Sequence, residues 1–226
     1  MNTSKILIIA AHPDDEIIGC GGTILKFKNE SKIKIIFTCK THDKRINKNK
    51  IKKNNERQRI ARKVSKYLNI ETPKFLNFNG LSLKREDITK MAKKLYDNII
   101  KFKPQTIYTH CIDDNHHDHR ATAEATLIAT RPNKKNNFLR NIYSYEIPSA
   151  SEKLINKNKA FNPNHFVDID KFYKKKINIL KKFYKDELKP YPNFLSLKSI
   201  ENQIRFRGNM INLKAAEAFE IVRLIK

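Results

Sequence analysis

An uninterrupted apolar run at Ile6–Ala10 is the feature that most constrains the fold of this chain. A strand whose consecutive side chains are all apolar must be buried on both faces, which is typical of a central strand in a parallel sheet. The run ends at His12-Pro13, and a helix is predicted from about Asp15 to Asn29, with acidic residues in the first turn, where the helix dipole favours them. A buried strand therefore delivers a polar cluster at its carboxyl end.

Short apolar runs then alternate with helical segments along the first two thirds of the chain. Further strands are predicted at Lys34–Thr38, Phe75–Phe78, Thr106–His110 and Ile142–Ile147, helices at Glu56–Leu68, Asp87–Phe102 and Ala121–Thr130, and polar loops at Lys40–Lys53 and Asp113–Arg120. This alternation predicts an α/β fold with a Rossmann-like, mostly parallel sheet flanked by helices.

The last third has a different pattern. Phe161–Asp170 is predicted to be extended, Asp170–Leu188 a lysine-rich helix, Lys189–Phe194 a linker or lid, Leu197–Arg207 a helix and Ala216–Leu224 a final apolar segment. We predict a single domain over residues 1–226, with a core over about 1–150 and a small C-terminal extension over about 151–226 that closes over the functional site.

The chain is strongly basic, with 47 Lys and Arg against 23 Asp and Glu and a formal net charge of +24. Such a charge suits a nucleic acid or an anionic membrane surface. The lysines are, however, spread over nearly every exposed helix face, and they accompany abundant Asn and Ile, as an AT-rich genome would encode. We attribute the charge to composition and expect no nucleic-acid partner, although an anionic substrate would still be steered by this field.

Cysteine content and hydropathy indicate the compartment. The three cysteines, Cys20, Cys39 and Cys111, are odd in number and lack metal-ligand or redox spacing. They are expected to be buried, reduced thiols. No apolar stretch is long enough for a signal peptide or a transmembrane segment. We expect a cytoplasmic protein, and the sequence leaves homo-oligomerisation open.

Two polar clusters carry the candidate chemistry. His12–Glu16 (HPDDE) follows the first predicted strand, and His116–His119 (HHDH) lies just beyond the fourth. In an open α/β sheet, ligands bind outside the carboxyl ends of the strands, where the winding reverses. If strands one and four are neighbours, the two clusters converge there.

The residue types in these clusters suit a catalytic zinc site, which takes three His or carboxylate ligands and leaves one position open. A spare carboxylate can act as a general base, and a spare imidazole can protonate the leaving amine or stabilise an oxyanion. The competing explanation for the first cluster is a helix N-cap, in which Asp14 or Asp15 accepts backbone N–H groups. The occurrence of two such clusters, each after a buried strand, favours the metal site.

The chain resembles the LmbE-like (PIG-L) N-acetylglucosaminyl deacetylases. The first cluster continues as Ile17–Thr23 (IIGCGGT), like the first motif of that family, and Thr109-His110 with His116–Arg120 is similar to the second. Arg207-Gly208 with Ala216–Phe219 looks like the C-terminal signature, and Tyr145–Ser149 also fits. The resemblance therefore spans nearly the whole chain.

The resemblance implies which residues would carry out each step of deacetylation. His12, Asp15 and His119 would bind one Zn²⁺, although the same ligand set also accepts iron or cobalt. Asp14 would be the general base that activates the attacking water. His116 would be the protonated partner that stabilises the oxyanion or delivers a proton to the amine. The implied substrate is an N-acetylated amino sugar of the GlcNAc type, free or conjugated, from which acetate is released.

Two departures from the family pattern leave the identity of the sugar undetermined. Arg57 resembles an arginine that contacts substrate in relatives, but the acidic residue that usually follows three positions later is Ile60 here, which the helical periodicity makes a core position. Some relatives have a sugar-binding aspartate after the third strand, where this chain has Asn79-Gly80. His117 and Asp118 have no implied role, and Asp118 either orients a metal ligand or lies at the surface.

Other functions remain as alternatives. The same site could hydrolyse another amide and release a different acid. Alternatively, this chain could be a member of a related fold that acts as a transferase and not as a hydrolase. A nucleic-acid-binding module with a structural His/Asp cluster would instead show steeply salt-dependent binding. A dinucleotide loop is disfavoured, because Gly19, Gly21 and Gly22 lack the required spacing and the adjacent acids would repel a pyrophosphate. Close packing of the helix on the sheet explains these glycines better.

Overall fold

A computed structural model describes residues 3–40, 48–148 and 161–226, without the side chains of residues 48–53. The described residues form seven strands and six α-helices: β1 (Ser4–Ala10), α1 (Asp15–Phe27), β2 (Ser31–Lys40), α2 (Lys48–Leu68), β3 (Lys74–Asn79), α3 (Arg85–Phe102), β4 (Thr106–His110), α4 (His117–Ala129), β5 (Asn141–Tyr145), β6 (His165–Asp168), α5 (Tyr173–Phe183), α6 (Leu197–Asn209) and β7 (Ala216–Leu224).

The strands form one sheet in the order β3-β2-β1-β4-β5-β7-β6. The first five are parallel, and β7 is antiparallel to both β5 and β6. The predicted α/β fold with a mostly parallel sheet is therefore confirmed. Strands β1 and β4 are neighbours, with Ile6 opposite Thr106, so the strand order reverses between them. This is the arrangement that brings the two polar clusters together at one edge of the sheet.

Strand β1 shows why its apolar run has no alternation. Ile6, Ile8 and Ala10 pack in a core shared with α1, α2, α5 and α6, whereas Leu7 and Ile9 pack in a second core under α3 and α4. None of the five is more than 6% exposed. Because helices cover both faces of the sheet, apolar side chains are stabilising at every position of this strand.

Two predicted loops are partly helical. Helix α2 begins at Lys48, so residues 48–53 of the predicted loop are helical, while residues 41–47 lie outside the described part of the chain. Helix α4 begins at His117 and not at Ala121. The imidazole of His116 accepts the backbone N–H of Asp118 at 3.2 Å, a side-chain cap that starts this helix early. Composition suggested a loop because the capping residues are themselves polar.

The C-terminal part of the chain contributes two strands to the same sheet. Residues 161–170, predicted to be extended, contain β6, and the final apolar segment is β7, inserted between β5 and β6. Helix α5 ends at Phe183, five residues before the predicted end. The segment from residue 184 to the start of α6 instead folds as turns that contact the candidate site.

A buried ion pair links this part to α1. The ammonium of Lys176 donates to the Ile18 carbonyl and to Glu217, both at 2.6 Å. The Glu217 carboxylate in turn accepts the backbone N–H groups of Gly22 and Thr23, each at 2.7 Å. The two charged side chains thus form hydrogen bonds with backbone groups in the middle of α1.

Smaller predictions are also confirmed. A Cβ at Gly19 would collide with the buried ring of Tyr145, so close packing does explain this glycine. Cys20, Cys39 and Cys111 are buried free thiols. Among the described residues, no helix combines the length and apolar character needed to cross a membrane.

Candidate metal centre

The two polar clusters meet around Asp15. One carboxylate oxygen of Asp15 (Oδ2) lies 3.6 Å from His12 Nδ1 and 3.5 Å from His119 Nε2. Two ligands that share a tetrahedral metal, each about 2.1 Å from it, are about 3.4 Å apart. The three side chains are buried, and Asp15 lies at ligand-sharing distance from each histidine, so the predicted ligand residues do come together. Within the described ranges, the groups whose ligand atoms all lie within 4.8 Å of one another are His12 with His116 and His119, and Asp15 with His110 and His119, so the predicted three residues divide between two overlapping groups.

Each of these histidines contacts a buried carboxylate through its other nitrogen. His12 Nε2 lies 2.9 Å from Asp118 Oδ2, and His119 Nδ1 lies 3.1 Å from Asp114 Oδ2. Both carboxylates are 1% exposed. Metal-ligating histidines are typically held in this way, since the carboxylate fixes the ring and its tautomer and makes the facing nitrogen a better donor. The residues present therefore fit a bound metal ion.

Asp118 also connects the site to β3. Its second carboxylate oxygen accepts the backbone N–H of Leu81 at 2.7 Å. A Cβ at Gly80 would collide with the Asp118 carboxylate, so only glycine permits this approach. Asp118 is therefore a buried contact of His12 and not a surface residue, and the turn after β3 packs directly on the candidate centre.

The local electrostatics favour a cation. Burial alone would raise the pKa of Asp15, but the neighbouring His119 and His110 hold it well below its usual range. Burial opposes charge on His12, but its hydrogen bonds with Asp118 and Asp15 raise its pKa to about 9. A buried position between carboxylates thus attracts positive charge, and a metal ion would replace the proton there.

Asp14 lies beside the ligand set in an unusual conformation. Its backbone has φ 122° and ψ −37°, a region that residues with a Cβ rarely occupy. Its side chain makes no capping hydrogen bond to α1, which removes the N-cap explanation for this residue. Burial raises the pKa of Asp14 to about 7, although Arg57 opposes this shift. A carboxylate that titrates near neutral pH is suited to general base catalysis.

His116 lies next to both histidine ligand candidates. Its ring stacks on His119 with centroids 4.5 Å apart and meets His12 edge-on at 5.2 Å. Its Nδ1 accepts the Asp118 N–H, which leaves the proton of a neutral ring on Nε2. Burial and the two neighbouring rings lower the pKa of His116 to about 4. This environment favours a neutral hydrogen-bond donor over the protonated ring implied by the resemblance.

Arg57 reaches the site from α2 and contacts the candidate base. Its guanidinium donates to the Pro13 carbonyl and to Asp14 Oδ2, both at 3.1 Å. Its Nε lies 3.2 Å from Glu187. Ile60 packs against the core, as its helical position predicted. A contact between Arg57 and substrate stays a prediction.

His110 forms the floor of the centre. It is fully buried at the end of β4, stacks on His119 with centroids 4.0 Å apart and lies 3.4 Å from Asp15 Oδ2. Its Nε2 accepts the backbone N–H of Ala11 at 2.9 Å, and the ring also belongs to one group of potential metal ligands, with Asp15 and His119. No role was predicted for His110 from the sequence, although it ends a predicted strand and belongs to the second motif of the resemblance.

Four further residues around the centre had no sequence signal that singled them out. Asp114 was assigned to a polar loop and Glu16 to the first turn of a helix, and both positions are ordinary for acidic residues. Tyr184 and Glu187 follow α5 and are distant in sequence from both clusters. Their side chains contact Glu16 and Arg57, respectively.

Comparison with known proteins gives one family. The family model described as PIG-L, GlcNAc-PI de-N-acetylase, matches residues 7–130, more than half of the chain. This range contains all six site residues that the sequence predicted. No curated protein matches the chain significantly.

Several solved structures share the fold. A N,N′-diacetylchitobiose deacetylase from Pyrococcus horikoshii has a TM-score of 0.75 at 20% identity, covering 98% of this chain and 85% of that one. The zinc-inhibited form of the teicoplanin deacetylase Orf2 has a TM-score of 0.74 at 13% identity, over 97% and 98% of the two chains. GalB, a 4-carboxy-2-hydroxymuconate hydratase from Pseudomonas putida KT2440, has a TM-score of 0.71 at 17% identity, over 99% and 98%. At these identities the likeness shows a common fold.

Proposed function

Because the chain belongs to the PIG-L family of deacetylases and is therefore an amidohydrolase, we propose that it removes the acetyl group from an N-acetylated amino sugar. One zinc ion bound by His12, Asp15 and His119 would serve this reaction. The observation that carries the proposal is the arrangement of the two histidines. Each directs one nitrogen at Asp15 and the other at a buried carboxylate.

The bound ion would supply a Lewis acid to the acetyl carbonyl oxygen. Asp14 accepts a proton from the attacking water as the water oxygen bonds to the carbonyl carbon. The Nε2–H of His116 donates a hydrogen bond to the oxyanion that develops. The C–N bond then breaks as the leaving amine takes the proton that Asp14 accepted, and acetate is the second product.

The proposed substrate is of the GlcNAc type, either free or conjugated to an aglycone. Proteins of similar fold are named as deacetylases of N,N′-diacetylchitobiose and of teicoplanin. The net charge of +24 would favour a negatively charged conjugate, such as a nucleotide-linked sugar, through electrostatic steering. Such an enzyme would serve glycan or polysaccharide synthesis.

Acetate release tests the proposal directly. Zinc-loaded protein is incubated with a panel of N-acetylated sugars, free and nucleotide-linked, next to an Asp14→Asn variant. We expect acetate from at least one substrate, and turnover by the variant lower by a factor of about 10²–10⁴, because only the base is lost. Zinc content should be one per chain in both proteins, and loss of zinc from the variant would make Asp14 a ligand.

Other outcomes would redirect the assignment. One zinc per chain without acetate would indicate another amide bond or an unsampled aglycone. GalB has the same fold and is named as a hydratase, so the identity of the released acid, and not the fold, decides the reaction. A protein that binds no zinc and releases no acetate would point to a nucleic-acid-binding module.

A further inference from the structure

We infer that Tyr184 and Glu187, in the turn after α5, are positioning residues that hold Asp14 in place through Glu16 and Arg57. The inference rests on the proposed role of Asp14 as the base. It assigns a function in the reaction to the C-terminal part of the chain, far in sequence from both polar clusters.

The first connection runs from Tyr184 to the backbone of Asp14. The Tyr184 hydroxyl donates to Glu16 Oε1 at 2.6 Å, and Glu16 Oε2 accepts the backbone N–H of Asp14 at 2.9 Å. Tyr184 is 2% exposed and Glu16 is 1% exposed. Because water has little access to either group, the Glu16 carboxylate depends on these protein donors for its orientation.

The second connection runs from Glu187 to the side chain of Asp14. Glu187 Oε1 lies 3.2 Å from Arg57 Nε, and a terminal nitrogen of Arg57 donates to Asp14 Oδ2 at 3.1 Å. This contact is an ion pair and not a hydrogen bond of Nε, so the Glu187 carboxylate restrains the guanidinium through its charge. Glu187 thereby aims Arg57 at the candidate base.

One turn delivers both residues. Helix α5 ends at Phe183, and the backbone N–H of Glu187 then donates to the Tyr184 carbonyl at 3.0 Å. This bond closes a single turn between the two positions. The sequence predicted a helix as far as Leu188, but α5 ends at Phe183 and leaves Tyr184 and Glu187 in this turn.

The backbone conformation of Asp14 is one that surrounding contacts must hold. A non-glycine residue at φ 122° is strained, and such strain persists only where the surroundings hold it. The backbone of Asp14 is held by Glu16 and its carboxylate by Arg57. Asp15 has its own bond to the His12 N–H at 2.8 Å, so the metal ligand is anchored separately from the base. Loss of either connection should move the base while leaving the metal bound.

The test uses zinc-loaded Tyr184→Phe and Glu187→Gln variants of the full chain. Tyr191→Phe and Asp186→Asn are matched controls, since both residues are exposed in the same segment. We expect kcat to fall by about 10- to 100-fold in the two test variants, because a displacement of the base by up to about 1 Å can cost about 100-fold. KM and zinc content should match the wild type, and amide hydrogen exchange across residues 11–18 should be faster. The controls should behave as wild type.

Each other result has a defined meaning. A raised KM with unchanged kcat would overturn the inference and show that Glu187 orients Arg57 for substrate binding. A lower melting temperature with unchanged kcat and unchanged exchange would show a purely structural role, which also overturns it. If the wild type releases no acetate from any substrate, the proposed function fails, and exchange across residues 11–18 alone decides whether this segment holds Asp14.

Discussion

At the scale of single residues, the candidate centre depends on which nitrogen each histidine presents. His12 faces Asp15 through Nδ1 and His119 faces it through Nε2, and in each case the opposite nitrogen is held by a carboxylate. The third nearby ring, His110, presents its Nε2 to a backbone N–H. Rings of one chemical type therefore have different roles, which their hydrogen-bond partners determine.

His119 is expected to be indispensable for metal binding, because it belongs to both groups of potential ligands in the described part of the chain, one with His12 and His116 and one with Asp15 and His110. A His119→Ala variant should retain much less than one zinc per chain after dialysis, measured by atomic emission. His117→Ala is the matched control, since its imidazole lies 3.1 Å from the Leu83 carbonyl oxygen and belongs to neither of these groups. Equal zinc in both variants would disprove the ligand assignment.

The carboxylates behind the ligands should tune affinity without being essential. Asp114→Asn and Asp118→Asn are each expected to weaken zinc binding by about 10- to 100-fold, because the amide orients the imidazole less strongly and adds no charge. Chelator competition measures this change, and Asp97→Asn, at an exposed position of α3, is the control. Unchanged affinity in both test variants would assign the two carboxylates to folding alone.

At the scale of elements, α1 is the structural centre of the site. Its N-terminus carries the first cluster, and its middle is held by Lys176 from α5 and Glu217 from β7. Side chains inserted into a helical hydrogen-bond ladder bend a helix and set its direction. The C-terminal elements thus help to determine where the first cluster points.

The Lys176–Glu217 pair should show strong energetic coupling. Lys176→Met is expected to lower the free energy of unfolding by about 3–5 kcal/mol, because it leaves a buried carboxylate without its counter-charge. The double variant with Glu217→Gln should cost less than the sum of the single changes, by about 0.5–3 kcal/mol. Urea unfolding measures all four proteins, and strict additivity would contradict the pairing.

At the scale of the whole molecule, the metal would join two segments that are far apart in sequence. His12 and Asp15 follow β1, whereas His119 lies in the first turn of α4, across the reversal of strand order. An ion that binds only the folded arrangement stabilises the protein by mass action. The unfolded chain keeps these ligands apart and gains little from the metal.

Zinc should therefore raise the melting temperature. At a free zinc concentration of about 100 times Kd the stabilisation is about 2.7 kcal/mol. For a chain of this length, each kcal/mol corresponds to about 2–4 °C, so an increase of about 5–10 °C is expected. Differential scanning fluorimetry with and without chelator measures it, and the His119→Ala protein should show no increase. An equal increase in that variant would place the stabilising ion elsewhere.

The sequence was sufficient for the parallel strands and for the two polar clusters, because these depend on local patterns. An apolar run marks a buried strand wherever the strand lies, and His and Asp at a strand end are visible without coordinates. The element ends were less predictable. Helices α2 and α4 begin before the first residue of their apolar periodicity. Polar residues extend α2 to Lys48, and the His116 side chain caps α4.

Only the tertiary structure decided which of these groups act on one another. The place of β7 between β5 and β6, the carboxylates behind His12 and His119, and the contacts of Tyr184 and Glu187 all join distant parts of the chain. A carboxylate on a loop has the same local sequence whether it faces water or an imidazole. Its role depends on burial and on its partner, and both arise only when the chain packs.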